Sequence, residues 1–166
     1  MTLADIPAGS SVFIDANIFI YHLVGRSEEC SSFLGRVEQG ELRGLTGQVS
    51  LLEVAHRLMM LEAVEQGVSM APNPAARLAH QPALVHRLSK YYFSLLAIPR
   101  FGIEVLSLPP DFVTASQEFR QSHGLLVNDS LVPMHMRQAG LSVLASGDEV
   151  FDQVPGVRRF SPADIG

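Results

Sequence analysis

The sequence predicts an α/β fold, a three-layer sandwich in which a mainly parallel central sheet is covered by helices on both faces. Short apolar runs alternate along the chain with longer amphipathic segments, which is the order of strands and helices in such folds. No hairpin signal joins two neighbouring strand candidates, so each connection is expected to pass through a helix. A length of 166 residues suits one core. We therefore expect residues 1–166 to form a single domain.

The strand candidates are short, and the first is the most apolar. Residues 12–14 read Val-Phe-Ile, a β-branched and aromatic run that is typical of a strand buried on both faces. The other candidates are residues 43–46, 103–108, 141–145 and 157–160, the last of them as an edge strand.

The helix candidates fill the intervals between the strands, and glycine or proline ends most of them. The segment 49–66 carries apolar residues from Leu51 to Ala63 in a stripe too broad for one buried face, so it is expected to pack on two sides. Three prolines predict an irregular loop over residues 67–82. Pro133 is expected in the first turn of its helix, where its missing N–H costs little. The predicted helices are 18–24, 28–40, 49–66, 83–98, 111–123 and 130–138.

The composition narrows the classes to which the protein can belong. Only 17% of the residues are charged, below the usual quarter, which predicts that another chain covers apolar surface. A net charge of −5 argues against non-specific coating of nucleic acid, but not against a nuclease with an acidic site. Cys30 is the only cysteine, which excludes an intrachain disulfide and a thiolate metal cluster. No apolar run is long enough to span a bilayer, and the start lacks a basic region followed by a long apolar core, so we expect a cytoplasmic protein.

Four acidic residues stand at comparable places in the predicted fold. Asp15 ends the first strand, Glu53 lies about one turn into the helix after the second strand, Asp129 opens a helix, and Asp148 follows a strand. Each alone is compatible with a structural turn, a helix cap or an exposed position. Together they would meet at one edge of a parallel sheet, where they repel one another unless protons or cations neutralise them. Hard oxygen ligands suit Mg²⁺ or Mn²⁺, and this pattern favours metal-assisted phosphodiester hydrolysis.

The histidines indicate no separate metal site. None of the six pairs with another at metal-ligand spacing, which favours ordinary core or surface positions for them. His56 lies one turn from Glu53 and could contact phosphate. No phosphate-binding glycine loop, dinucleotide fingerprint or nucleophile elbow is present in the sequence.

Four sequence segments resemble those of a known family, and they follow one another along the chain as FIDANIFIY, TGQVSLLEVAHRL, LLVNDSLVPMHMRQAG and LSVLASGDEVFDQVPGV. In this order they resemble PIN-domain ribonucleases, and most closely the VapC-type toxins of prokaryotic toxin–antitoxin pairs. The resemblance implies hydrolysis of RNA with one or two divalent cations at an acidic site formed by Asp15, Glu53, Asp129 and Asp148. It also implies auxiliary positions at Asn17, Ser146 and Asp152.

The resemblance further implies a cognate antitoxin as a partner, and the broad apolar stripe of residues 51–63 predicts a homodimer. Two features depart from the family pattern. Pro133 interrupts the run of small apolar residues that follows the third acid, and the segment 67–100 is longer than in compact toxins.

Two other functions are compatible with parts of the pattern. Asp15 could be the nucleophile of a HAD-like phosphatase, but Asn17 stands where that family has a second aspartate, and the sole lysine, Lys90, lies in an ordinary predicted helix. A non-catalytic PIN scaffold is the second alternative. The presence of all four acids argues against it.

Overall fold

The computed structural model describes residues 1–68 and 73–165. Its five strands form one sheet in the order β3-β2-β1-β4-β5, and every neighbouring pair is parallel. The first strand is central, with Phe13 in register with Leu45 on one side and Leu144 on the other. This confirms the predicted α/β fold. The strands are β1 (Ser11–Ile14), β2 (Arg43–Gly47), β3 (Glu104–Leu106), β4 (Val143–Ala145) and β5 (Arg158–Phe160).

Helices connect these strands, and polar side chains begin several of them. Ser27 accepts a hydrogen bond from the backbone N–H of Cys30 at the start of the second helix, which is the usual role of an N-cap serine. The α-helices are α1 (Ala16–Leu23), α2 (Glu28–Glu38), α3 (Gln48–Glu65), α4 (Pro74–Ala79), α5 (Pro82–Val85), α6 (Lys90–Leu95), α7 (Phe112–Ala115), α8 (Gln117–His123) and α9 (Val127–Gln138). Short 3₁₀ helices cover Leu3–Asp5, Ile98–Phe101 and Glu149–Gln153.

The central strand β1 sends alternate side chains into two different cores. Val12 and Ile14 pack with residues of α1, α2 and α3 on one face of the sheet. Phe13 packs with residues of α9, β4 and the last 3₁₀ helix on the other face. Because successive side chains of a strand point to opposite faces, a strand buried on both sides must be apolar throughout. The three-layer arrangement follows from this pattern.

The structure corrects two predictions in the middle of the chain. The loop predicted over 67–82 contains α4, whose N-cap Asn73 accepts a hydrogen bond from the N–H of Ala76. Residues 69–72 of that prediction lie outside the described residues. The single helix predicted over 83–98 is also wrong, because α5 and α6 are separate. The buried side chain of Glu62 accepts hydrogen bonds from the N–H groups of residues 89–91, which starts a new helix there.

Two further helix predictions need correction. The helix predicted over 111–123 is divided at Ser116, whose hydroxyl donates a hydrogen bond to the Phe112 carbonyl. Pro133 lies well inside α9, not in its first turn, because α9 begins at Val127. A proline at this position removes the helical hydrogen bond that would reach the carbonyl of Asp129.

The long helix α3 packs against α1, α4 and α6, as expected for a helix with apolar residues on more than one side. Leu52 remains exposed on it. None of the described helices combines the length and the apolar character that crossing a membrane requires.

Candidate active site

Asp15 is the buried centre of the site. It follows β1 directly, and its backbone N–H donates to the carbonyl of Ala145 at 3.0 Å, which ties the turn to β4. Its Oδ1 accepts the N–H of Ala16 at 2.8 Å and so caps α1. Its Oδ2 accepts the Asn17 amide and the Ser146 hydroxyl, each at 2.7 Å. Only 8% of the residue is exposed, so these donors hold the carboxyl group in one orientation.

Asn17 and Ser146 connect the loops that follow β1 and β4. The Asn17 amide donates to the Ser146 hydroxyl at 3.1 Å, and its oxygen accepts the N–H of Gly147 at 3.0 Å. The Ser146 hydroxyl also accepts the N–H of Asp148 at 3.1 Å. The two residues therefore fix the position of the Asp148 backbone relative to Asp15. The structure thus brings the two auxiliary positions, Asn17 and Ser146, beside the first acid.

The four predicted acids share one electrostatic environment. Burial raises the pKa of Asp15 to about 6, the hydrogen bonds from Ser146 and Ala16 oppose that rise, and the charges of Glu53 and Asp148 add to it. The pKa of Asp129 is also raised, first by burial and then by the charge of Asp148. Since a neighbouring negative charge disfavours ionisation only at short range, these four carboxyl groups belong to the same region of the molecule.

The acids differ in their exposure to solvent. Asp15 is buried and Asp129 is half-buried, whereas Glu53 and Asp148 are exposed. Asp15, Glu53 and Asp129 line one small pocket at the carboxyl ends of the central strands. Asp148 is outside that lining, and one of its oxygens accepts the N–H of Val150 at 3.0 Å.

The chemistry of these donors fits a hard divalent cation, because all four are carboxylates and burial with mutual repulsion holds the pKa of two of them high. A cation would relieve that repulsion. Within residues 1–68 and 73–165, however, no three or more His, Cys, Asp or Glu side chains are already grouped closely enough to hold a metal ion.

Asp152 has a different environment from the other predicted positions. Its carboxylate forms two hydrogen bonds of 2.7 Å with the Arg159 guanidinium, and these hold the pKa of Asp152 below its usual value. Arg159 also donates to the carbonyl of Ser146 at 3.2 Å. Asp152 thus supports the loop after β4 through Arg159, and it does not line the pocket that Asp15, Glu53 and Asp129 share.

A wider pocket of about 520 Å³ opens from the acids to the surface. Glu53 and Asp129 form part of its wall. Arg57 and His56 project from α3 beside Glu53, and Arg57 has no ion pair or side-chain hydrogen bond within the described part of the chain. Leu126 and Val127 complete one side and are largely exposed. The pocket therefore combines carboxylates, a cation and apolar surface.

His135 also lines the small pocket of Asp15, Glu53 and Asp129, although the sequence indicated only an ordinary histidine. The residue is 2% exposed, and burial lowers its pKa, so the ring is neutral at pH 7. Asn128 lines the same pocket. Helical spacing could have placed His135 beside it, because His135 follows Asn128 by seven residues, or two turns, on α9.

Comparisons with known proteins agree with this architecture. The PIN domain family model matches residues 12–157. Ribonuclease VapC2 of Methanocaldococcus jannaschii is 24% identical over 145 residues, which cover 87% of this chain and 89% of the relative.

Solved structures show the same fold. VapBC2 from Rickettsia felis, bound to a DNA fragment from its promoter, has a TM-score of 0.56 at 15% identity, covering 92% of this chain and 98% of that one. Mycobacterium tuberculosis VapC20, a toxin that cleaves the sarcin–ricin loop, has a TM-score of 0.58 at 12% identity, covering 87% and 95%. Because the family model spans most of the sequence, the chain belongs to the PIN domain family.

Proposed function

We propose that this protein is a metal-dependent endoribonuclease of the VapC type and acts as the toxin of a type II toxin–antitoxin pair. The observation that carries the proposal is the buried Asp15 carboxyl, whose pKa is raised to about 6 beside the charges of Glu53 and Asp148. A buried carboxyl group beside other negative charges does not stabilise the fold, but a cation-dependent hydrolase needs such clustered carboxylates to hold its metal ion. The ribonuclease and toxin names of its relatives support the same function.

Mg²⁺ or Mn²⁺ would be held by the four carboxylates of Asp15, Glu53, Asp129 and Asp148, whose hard oxygens suit these ions. When bound, the cation supplies a more acidic water and stabilises negative charge on the phosphate. Asp15 contributes a fixed oxygen, because Ala16, Asn17 and Ser146 already orient its carboxyl group. Glu53 and Asp148 are exposed and supply charge that can adjust to the substrate. One of the acids also assists proton transfer.

The RNA strand enters through the wider pocket. Its phosphates are repelled by the acids, so a nearby cation on the protein is needed for binding. Arg57 supplies that charge, and the planar guanidinium suits a phosphate. We also propose that residues 1–166 form one nuclease domain that works in the cytoplasm, where its RNA substrates are found.

An antitoxin and a second copy of the chain are the proposed protein partners. The antitoxin is supported by the likeness to a toxin–antitoxin complex from Klebsiella pneumoniae. Apolar surface for such contacts exists in a groove of about 720 Å³ beside β3, whose apolar lining includes Leu51, Leu52, Leu95, Val105 and Leu108. An antitoxin arginine or lysine would complement the acidic pocket electrostatically.

The alternative of a HAD-like phosphatase gains no support from the structure. Lys90 is the only lysine, and its ammonium pairs with Glu65 at 2.7 Å. Lys90 lines neither of the pockets formed by the acids. No cation of the required kind therefore lies beside Asp15 in the described part of the chain.

The proposal is tested by cleavage of structured RNA in Mn²⁺ with purified protein. Asp15→Asn is expected to lower the single-turnover rate by about a thousandfold, because several kcal/mol of transition-state stabilisation depend on the metal. Asp111→Asn is the matched control, because this exposed side chain forms no capping hydrogen bond and lines neither pocket, and it is expected to cleave near the wild-type rate. Wild-type cleavage by Asp15→Asn would refute the assigned site. Hydrolysis of a phosphomonoester with no RNA cleavage would favour the phosphatase, and metal binding without turnover would favour the scaffold.

A further inference from the structure

His135 is a buried residue that packing does not explain. Its Nε2 has no hydrogen-bond partner and is the one buried side-chain nitrogen or oxygen in that state within residues 1–68 and 73–165. A buried polar atom without a partner is unfavourable for the folded state and calls for a reason.

The surroundings of the ring would suit an apolar side chain equally well. The imidazole stacks on Phe13, with 6.1 Å between ring centroids, and it lies against Gly47, where an added Cβ would come within 3.0 Å of the ring. The neighbouring positions Met134 and Met136 are buried methionines. A third methionine at 135 would pack here without a polar atom.

The position of His135 relative to the acids supplies the reason. His135, Asp15, Glu53 and Asp129 line the same small cavity of about 10 Å³, which is about the space that one water molecule needs. The ring is neutral at pH 7 because burial lowers its pKa, so its nitrogens can donate to or accept from an oxygen without adding charge to the site.

We infer that His135 is a positioning residue of the active site, whose ring hydrogen-bonds an oxygen of the hydration shell that the divalent cation brings into the cavity beside Asp15. This inference rests on the proposed metal-dependent function. The histidine acts through that oxygen and not as a metal ligand. Its role is like that of the residues that hydrogen-bond the ligands of a metal ion and so fix their orientation.

The inference predicts that stability and metal binding respond in opposite directions. In His135→Met, the unpartnered atom disappears, so the melting temperature of the metal-free protein is expected to rise by a few degrees. The same variant is expected to bind Mn²⁺ about tenfold more weakly and to cleave RNA about ten- to a hundredfold more slowly. His135→Gln keeps a polar group and is expected to retain more of both functions. Met136→Leu is the control for repacking α9.

Calorimetry with Mn²⁺ alone measures the Mn²⁺ affinities of wild type and the His135 variants without RNA, so it tests the inference separately from the proposed function. If wild-type protein binds Mn²⁺ but cleaves no RNA, the function fails while the Mn²⁺ affinities still test His135. If His135→Met binds Mn²⁺ and cleaves RNA like wild type, the inference is overturned and the function stands. A lower melting temperature for His135→Met would show a purely structural histidine and also overturn it. Equal losses in His135→Met and His135→Gln would overturn the hydrogen-bonding role.

Discussion

Replacing Asp15 by asparagine is expected to alter how the stability of the metal-free protein depends on pH. Burial is the main reason that the pKa of Asp15 rises from 3.8 to about 6, and the charges of Glu53 and Asp148 add to the rise. The folded state therefore holds this proton more tightly than the unfolded chain does. The resulting stabilisation is complete below pH 3.8 and is lost as the pH rises through 6.

The size of the effect follows from the shift in pKa. A rise of about 2 units corresponds to about 3 kcal/mol of unfolding free energy across the whole range. About 1.4 kcal/mol of this is lost between pH 5 and pH 7. An asparagine at position 15 does not titrate between pH 5 and pH 7, so the unfolding free energy of Asp15→Asn lacks this dependence on pH. The amide also mismatches a donor, Asn17 or Ser146, which lowers stability by about 1–2 kcal/mol at every pH.

Urea unfolding in EDTA at pH 5, 6, 7 and 8 measures the difference between variant and wild type. Between pH 5 and pH 7 the difference is expected to move by about 1.4 kcal/mol in favour of Asp15→Asn, whatever the constant offset. Asp152→Asn is the control, because Arg159 holds the pKa of Asp152 below 3.8 and its contribution changes only at lower pH. If the difference in unfolding free energy between Asp15→Asn and wild type stays constant from pH 5 to pH 8, Asp15 is not a buried carboxyl group with a raised pKa.

Three other predictions test the acids, the RNA pocket and the middle of the chain. Mn²⁺ or Mg²⁺ at a hundredfold its dissociation constant is expected to stabilise the protein by about 2.7 kcal/mol and to raise the melting temperature by about 5–10 °C, whereas NaCl at the same ionic strength should give far less. In a variant that cannot cleave, such as Asp15→Asn, the additional change Arg57→Gln is expected to weaken RNA binding. It should also reduce, by about 1, the slope of the logarithm of the binding constant against the logarithm of the salt concentration. Arg158→Gln on β5 should change neither the affinity nor this slope. Glu62→Gln is expected to lower the unfolding free energy by about 1–3 kcal/mol, because Glu62 accepts three backbone N–H groups, whereas the exposed Glu65→Gln should have little effect. Equal results for either pair of variants would contradict the corresponding contact.

The fold and the first acid could be predicted because local pattern and sheet geometry carry them. The run 12–14 is apolar at every position, which is typical of a strand buried on both faces. Once the strands are parallel, their carboxyl ends share an edge. Asp15 and the residues after β4 are then expected at one edge, and the pairing of β1 with β4 in the structure makes them neighbours, joined by the hydrogen bond from Ser146 to Asp15.

The middle of the chain could not be predicted in the same way. The boundary between α5 and α6 depends on Glu62, which lies 27–29 residues away from the N–H groups that it caps. Helical propensity depends only on residues that are close in sequence, so it predicted one helix over residues 83–98. Pro133 misled for a related reason: packing of α9 on Phe13 and Leu144 outweighs the hydrogen bond that proline removes, so the helix extends back to Val127.

His135 shows why the site itself was only partly visible in the sequence. A histidine on an apolar helical face reads as a core residue, and it is one, being 2% exposed. What makes it unusual is an unpartnered nitrogen on a residue that lines the same pocket as Asp15, which depends on how α9 meets Gly47 and β1. Asp15 and His135 therefore share one property: each is unfavourable in the metal-free fold, Asp15 as a buried acid and His135 as a buried atom without a partner. Since a cation bound by the acids would relieve Asp15, and a water that it brings into the cavity would partner His135, variants that stabilise the metal-free protein at these two positions should be the ones that lose function.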